Sequence, residues 1–156
     1  MKTRDRILHT SLALFNDEGE PHTTTIDIAN EMDISPGNLY YHFKGKDQII
    51  GELFQQYEQA LSHTLTAPIE QPLSTDNTWV ETNWYYLYVV MEEMYQYRFL
   101  YHNHDELLQR YPDLRRGFRR LIQLKRATLY AICQALLEQS IIDAREQQLL
   151  GLVDNM

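Results

Sequence analysis

A chain of 156 residues that is 44% hydrophobic, with only five prolines and six glycines, fits one ordinary domain or a small one fused to a medium one, and it excludes a disordered chain. A formal net charge of −8 argues against a non-specific binder of polyanions, and the single cysteine, Cys133, excludes an internal disulfide and fits a reducing compartment. The longest apolar run, around Tyr85 to Met91, is far too short to span a bilayer, so no membrane association is expected.

Lys2, Arg4, Asp5 and Arg6 lead into an amphipathic helix rather than a signal peptide, which makes a cytoplasmic protein the expectation. That first helix is predicted from Thr3 to about Glu18, with Ile7, Leu8, Leu12, Leu14 and Phe15 apolar and Gly19 as its stop. Its apolar side is expected to cover the inner face of the segment that follows.

Between Thr24 and Lys46 the chain caps a helix, turns, and caps another. Thr24 or Thr25 caps a helix starting near Ile26, and Asp27 stands three residues after Thr24, as in a capping box. Ile28, Ala29 and Met32 form one apolar stripe at helical spacing. Asp33-Ile34 is long enough only for a turn. Ser35 caps the second helix, Pro36 suits its first position, and Leu39 and Phe43 bury one face. Pro36, Gly37, Asn38, Tyr40 and Tyr41 are left on or beside the outer face. Two short helices joined by a tight turn, the second displaying small and hydrogen-bonding groups, are what a major-groove reader requires.

Charge is the objection to that reading. Residues 1–63 hold five Lys/Arg against ten Asp/Glu, formally about −5, whereas phosphate contacts normally dominate affinity for DNA. The five cations gather at two places, around the start of the first helix and just after the second helix of the turn. Arg4 and Arg6 either reach a phosphate or belong to a solvated N-terminus. Helix N-termini and hydroxyls add phosphate contacts without formal charge. Binding is therefore expected to depend on a dimer and a specific site.

From Lys46 a connecting helix is predicted to about Ser62, with Ile49, Ile50, Leu53, Phe54, Tyr57 and Leu61 at spacings of three and four and no stop before Ala67-Pro68. Ala67 to Asn77 reads as a loop. Asp76 to about Tyr95 reads as an aromatic-rich helix, Tyr97 to Tyr111 as one or two short helices, and Pro112 to about Gln139 as a long one. A last helix opens near Asp143 and is unfinished at Met156. The fold class is all-α.

The aromatic stretch from Trp79 to Tyr101 is either core or the wall of a small-molecule pocket. Its tyrosines and both tryptophans exceed what a plain core needs, and buried phenols and indoles require polar partners. Trp79, Trp84, Tyr88, Met91, Tyr95, Phe99 and Phe118 are the pocket candidates. Glu92 and Glu93 read as a solvated pair before they read as a cation sensor. His102-Asn103-His104-Asp105 reads as a loop or cap rather than a metal site, because histidines two apart do not share a helix face. Arg115, Arg116, Arg119, Arg120, Lys125 and Arg126 place six cations in twelve residues; the default is a solvated face, the sharper option a phosphate-bearing effector such as a CoA thioester. Cys133 reads as a buried structural thiol. No nucleophile elbow, phosphate-cradling glycine loop or cofactor motif is visible, and no enzyme is expected.

The run Ser35-Pro36-Gly37-Asn38-Leu39-Tyr40-Tyr41-His42-Phe43-Lys44-Gly45-Lys46 resembles the helix-turn-helix of the TetR family of bacterial transcription regulators. The resemblance covers about the first 60 residues and includes Phe15, the Thr-Thr cap and Ile28-Ala29. It implies Thr24 and Thr25 near phosphates, the stretch from Ser35 to Phe43 in a major groove, and Pro36, Gly37 and Asn38 facing base edges. Tyr40, Tyr41, His42 and Lys46 would contact or brace the DNA backbone. Asp33 holds a turn position usually given to glycine, which implies a looser turn or a left-handed Asp33. Ile26 stands where many members carry a polar or basic residue. The stretches MKTRDRIL, FNDEGEP, NLYYHFKGK and YRFLYHNHDELLQRYPDLRRG are also similar to a subgroup found around polyhydroxyalkanoate metabolism, which implies a fatty acid or acyl-CoA effector. Members commonly run longer, and their last two helices form the dimer interface, so an incomplete chain is expected rather than a dimer built on other surfaces.

The combined expectation is an N-terminal three-helix helix-turn-helix unit over residues 1–45, followed over 46–156 by an all-helical ligand-binding and dimerisation domain. The function expected is a homodimeric, ligand-responsive repressor on a palindromic DNA operator, without cofactor or metal. The alternative is a helical lipid-binding or protein-interaction module without DNA binding.

Overall fold

Helix α1, Thr3–Leu14, turns Ile7, Leu8 and Ser11 inward at helical spacing and passes into a π-helical turn, Phe15–Gly19, which buries Phe15. Gly19 ends it at a φ of 91°, a conformation that costs glycine little, and a single 3-10 turn, Glu20–His22, follows. The computed structural model describes residues 2–70, 79–138 and 151, without the side chains of 67–70 and 79–83. The expected loop from residue 71 onward, the last helix near Asp143 and the Trp79 side chain lie outside the described residues.

Helix α2, Thr25–Glu31, and helix α3, Pro36–His42, are the two short helices of the turn motif. The link between them closes as a Schellman motif: Ile34 N–H donates to Ala29 O and Asp33 N–H to Asn30 O, both at 3.0 Å. Asp33 takes the left-handed position at φ 52°, so the turn stays tight without glycine. Helix α4, Lys46–Glu70, buries Ile49, Ile50, Leu53, Phe54, Tyr57, Leu61 and Leu65 and runs past the expected stop at Pro68. A proline in a last helical turn removes only one intrahelical bond, so α4 continues to Glu70. Next come α5, Trp79–Gln96; two short helices, α6, Phe99–His102, and α7, His104–Arg110; and α8, Leu114–Glu138. No strand occurs among the described residues.

These elements fall into two compact units, Met1–Tyr57 with Met94–Arg115, and Glu58–Glu93 with Arg116–Met156. The first has an aromatic nucleus. Phe15 packs on Phe99 with ring centroids 5.3 Å apart, and Tyr57 packs on Tyr97 at 5.3 Å and shares a hydroxyl–hydroxyl bond with Tyr101. In the second, the buried Thr128 hydroxyl of α8 donates to Leu65 O of α4 at 2.7 Å, and Arg120 pairs with both oxygens of Glu58 at 2.7 and 2.9 Å. Burial pushes the half-buried Cys133 thiol up, which keeps it protonated.

Candidate nucleic-acid interface

Helix α3 is held from one side only. Leu39 and Phe43 are buried, Ser35 Oγ accepts from Asn38 N–H at 3.2 Å, and Pro36 occupies the first helical position. Pro36, Gly37, Asn38, Tyr40 and Tyr41 are exposed, with Tyr41 at 78% the most accessible large side chain of the helix. His42 is half-buried and meets the Tyr41 ring edge-on at 5.1 Å. Gly37 is informative because the fold does not require it. A Cβ there would meet nothing nearer than Ser35 Oγ at 3.9 Å, while glycine inside a helix costs roughly 0.5–1 kcal/mol relative to alanine.

Two contacts fix how α2 presents itself beside this face. Thr24 is the N-cap in a complete capping box: its Oγ accepts from Asp27 N–H at 3.2 Å, its N–H donates to the Asp27 carboxylate at 2.8 Å, and its hydroxyl donates to the same oxygen at 2.6 Å. Those bonds hold the Asp27 carboxyl below its ordinary range, the side-chain bond from Thr24 first. The Thr25 and Tyr40 hydroxyls lie 3.1 Å apart, joining the first turn of α2 to α3. Thr24, Thr25 and Tyr40 are therefore joined across the two helices.

The cations of residues 1–63 divide into paired and unpaired ones. Arg4 pairs in bidentate fashion with Glu52 and lies over the Phe43 ring, 4.5 Å from its centroid, so it fastens α1 to α4 while its side chain stays exposed. Lys46 is drawn inward: Nζ donates to Glu20 O at 2.7 Å and Thr23 O at 3.0 Å and pairs with the Glu20 carboxylate at 2.8 Å. It ties the start of α4 to the turn before α2. Lys2, Arg6 and Lys44 are the exposed cations of residues 1–63 that form no ion pair among the described residues.

Sequence reasoning missed Glu20. Its carboxylate, 3% exposed, also accepts from the Tyr111 hydroxyl at 2.7 Å and from Arg110. Burial, then the bond to Glu20, pushes the Tyr111 phenol far up and keeps it a donor. Nearby, Asn16 donates to Gln96 O at 2.8 Å and accepts from Phe99 N–H at 3.0 Å, and Arg98 pairs with Asp17 at 2.7 Å. The buried aromatic at Phe15 was visible in the sequence, whereas a lone glutamate after glycine carries no signal of burial.

Of the pocket candidates, Trp84, Tyr88, Met91 and Tyr95 recur at one face of α5, and that face is open, between 58% exposed at Met91 and 67% at Trp84. Helical spacing put these side chains together; it could not say which side of α5 is covered. Phe99 is buried against Phe15 in the first unit, and Phe118 is buried in the second. A cavity of about 240 Å³ in the first unit is lined by loop residues 15–22 with Phe99, His102, Asn103, Glu106, Leu107 and Arg110. Of the six cations around α8, Arg120 is paired with Glu58 and Arg115 donates to Leu108 O at 3.1 Å.

Residues 7–53 match the family model for bacterial regulatory proteins of the tetR family, and residues 56–156 match a TetR model for a bacterial transcriptional repressor. Over 76 residues the chain is 40% identical to the HTH-type transcriptional repressor KstR2 of Mycolicibacterium smegmatis, a stretch covering 44% of this chain and 37% of that protein. The chain spans about a third of the length of the curated relatives it matches. A TetR-family transcriptional regulator from Marinobacter aquaeolei is 38% identical with a TM-score of 0.88, over 99% of this chain and 74% of that one. The regulator PfmR of Thermus thermophilus shares the fold at 22% identity and a TM-score of 0.59, over 99% of this chain and 84% of that one. Two short helices joined by a tight turn, matched by family models over 7–53 and 56–156, lead to one conclusion: the chain belongs to the TetR family of bacterial regulatory proteins.

Proposed function

We propose that the protein is a ligand-responsive DNA-binding transcriptional repressor that acts as a homodimer on a palindromic operator in the cytoplasm. One observation carries this reading. Helix α3 is anchored from behind by Leu39 and Phe43 and leaves Pro36, Gly37 and Asn38 open, with a glycine the fold does not need. Each subunit inserts the stretch from Ser35 to Phe43 into a major groove, and half-sites lie about one helical turn (~34 Å) or slightly more apart. Gly37 lets the backbone approach the bases, and Asn38 offers a carboxamide, the group suited to an adenine edge. Thr24, Thr25, Tyr40, Tyr41 and His42 meet the DNA backbone, while Lys46 supports them from the inner side. Residues 1–45 are the reading domain and 46–156 the ligand-binding and dimerisation domain of this reading.

The effector class we propose is lipid-derived, a fatty acid or acyl-CoA, as in the subgroup around polyhydroxyalkanoate metabolism that FNDEGEP and YRFLYHNHDELLQRYPDLRRG resemble. An effector must favour one of two arrangements of the chain, and a coupling of about 1–3 kcal/mol changes operator affinity roughly 5- to 150-fold. The test is a footprint on DNA upstream of its own gene, repeated with fatty acids and acyl-CoA thioesters across a salt titration. Protection of a palindrome, weakened by salt and altered by one ligand class, is the expected result. The second reading, a helical lipid-binding or interaction module, is favoured by the formal charge of about −5 on residues 1–63, and it requires that no duplex be protected at any salt concentration.

A further inference from the structure

Three stretches distant in sequence meet at Glu20. Lys46 opens α4, Arg110 ends α7, Tyr111 follows it, and all three donate to one carboxylate that is 3% exposed. A carboxylate removed from water in this way is stable only while its donors stay in place. The same Lys46 ammonium reaches Thr23 O at 3.0 Å, one residue before the Thr24 cap. Thr23 is itself buried, with its hydroxyl on Gly19 O at 3.0 Å and its N–H on Glu20 O at 3.3 Å.

We infer that Arg110 and Tyr111 are positioning residues for the DNA-reading surface, acting through Glu20 and Lys46 on the start of α2. The path is continuous: Arg110 and Tyr111 hold the Glu20 side chain, Glu20 holds the Lys46 ammonium, and Lys46 holds Thr23 O. Thr24 and Thr25 come next in the chain, and the Thr25 hydroxyl touches Tyr40 of the reading helix at 3.1 Å. Two further ties from the same loop run parallel to it, Asn16 to Gln96 O and Phe99 N–H, and Asp17 to Arg98. The loop after α1 is thus gripped by residues 96–111, and a displacement of α7 is felt first at the α2 cap and not at α3. Residues 15–21 and 97–117, two of the stretches carrying the finer family resemblance, are the two sides of this grip.

The inference rests on the proposed DNA-binding reading, and the test separates the two. The full chain is used to select a duplex from random sequence, and affinity for that duplex is read by fluorescence anisotropy at one salt concentration. Arg110→Gln is expected to weaken binding about tenfold with its helical circular dichroism unchanged, and Arg110→Lys to recover most of the loss. Amide exchange over residues 23–28 of the free Arg110→Gln protein is expected to quicken. Glu20→Gln combined with Arg110→Gln should bind no worse than Glu20→Gln alone, because both cut one path. Tyr111→Phe, which removes a single hydroxyl, is expected to cost about threefold and answers the question should a charge variant fail to fold. A folded Arg110→Gln or Tyr111→Phe protein that binds within experimental error of the wild type overturns the inference while the DNA-binding reading stands. A wild-type protein that selects no duplex overturns both.

Discussion

The Lys46 ammonium lies 2.8 Å from the Glu20 carboxylate and donates at 2.7 Å to the carbonyl of the same residue. A lysine just beyond α3 invites the role of phosphate clamp, and in this structure its ammonium is engaged by Glu20 and by Thr23 O. Removing it leaves Glu20 with two of its three donors and two backbone carbonyls without this one. Lys46→Ala is therefore expected to destabilise the free protein by about 1–3 kcal/mol in urea unfolding. The salt slope of DNA binding is expected to stay near its wild-type value, since losing a phosphate contact would lower it by about one per subunit. A lower slope with unchanged stability would make Lys46 a clamp after all.

Thr25 and Tyr40 share a hydroxyl contact of 3.1 Å across the two helices of the motif. An exposed bond of this kind contributes only about 0.5–1 kcal/mol to stability, so its value lies in fixing the angle between two groups on one surface. Tyr40→Phe and Thr25→Val are each expected to weaken binding by a similar factor at every operator sequence. The double variant should be little worse than either single one. Strictly additive losses, measured on one duplex, would mean that each hydroxyl contacts DNA independently of the other.

Local sequence rules carried far in this chain, and their failures share a cause. The Thr24 and Ser35 caps, the Leu39 and Phe43 anchors and the left-handed Asp33 are each decided within about five residues of the chain, where capping and periodicity operate. Arg4 with Glu52 and Glu20 with Arg110 are 48 and 90 residues apart, and no periodicity records them. Two cations that counted as possible phosphate contacts, Arg4 and Lys46, are paired with carboxylates 48 and 26 residues away. The stripe on α5 shows the same limit: its period is plain in Trp84, Tyr88, Met91 and Tyr95, but covering a face takes a partner, which the period does not name.

Asp27 supplies a pH dependence with a defined sign. Its bonds to Thr24 lower its pKa in the folded chain, so its contribution is complete above the unfolded value of about 3.9 and is lost as pH falls through the lower folded value. The Thr24 amide resonance is expected to titrate with the Asp27 carboxyl at a midpoint below about 3.9. In Asp27→Asn this titration should vanish. A midpoint at or above the ordinary aspartate value would mean that the capping box is not formed in solution.

Asn38 and its neighbours are the residues from which sequence preference should come. A bidentate carboxamide–adenine contact discriminates by about 1–3 kcal/mol, so Asn38→Ala is expected to relax preference at one position of each half-site. Duplexes varied at every position in turn should lose discrimination at that position alone. A uniform loss across all duplexes would assign Asn38 to the backbone instead.

Gly37 separates folding from reading within a single substitution. Its Cβ position opens onto space, with Ser35 Oγ at 3.9 Å as the nearest neighbour, so Gly37→Ala introduces no clash in the free chain. Alanine in place of a helical glycine is expected to raise stability by about 0.5–1 kcal/mol. If α3 presses its backbone against base edges, the added methyl occupies the space through which DNA approaches, and affinity should fall although the protein unfolds at higher urea. The two measurements then move in opposite directions, which neither a misfolded variant nor a merely solvated surface produces. A Gly37→Ala protein that is more stable and binds its duplex as well as the wild type would show that the first turn of α3 does not enter the groove, and the reading surface would have to be sought nearer Tyr40 and Tyr41.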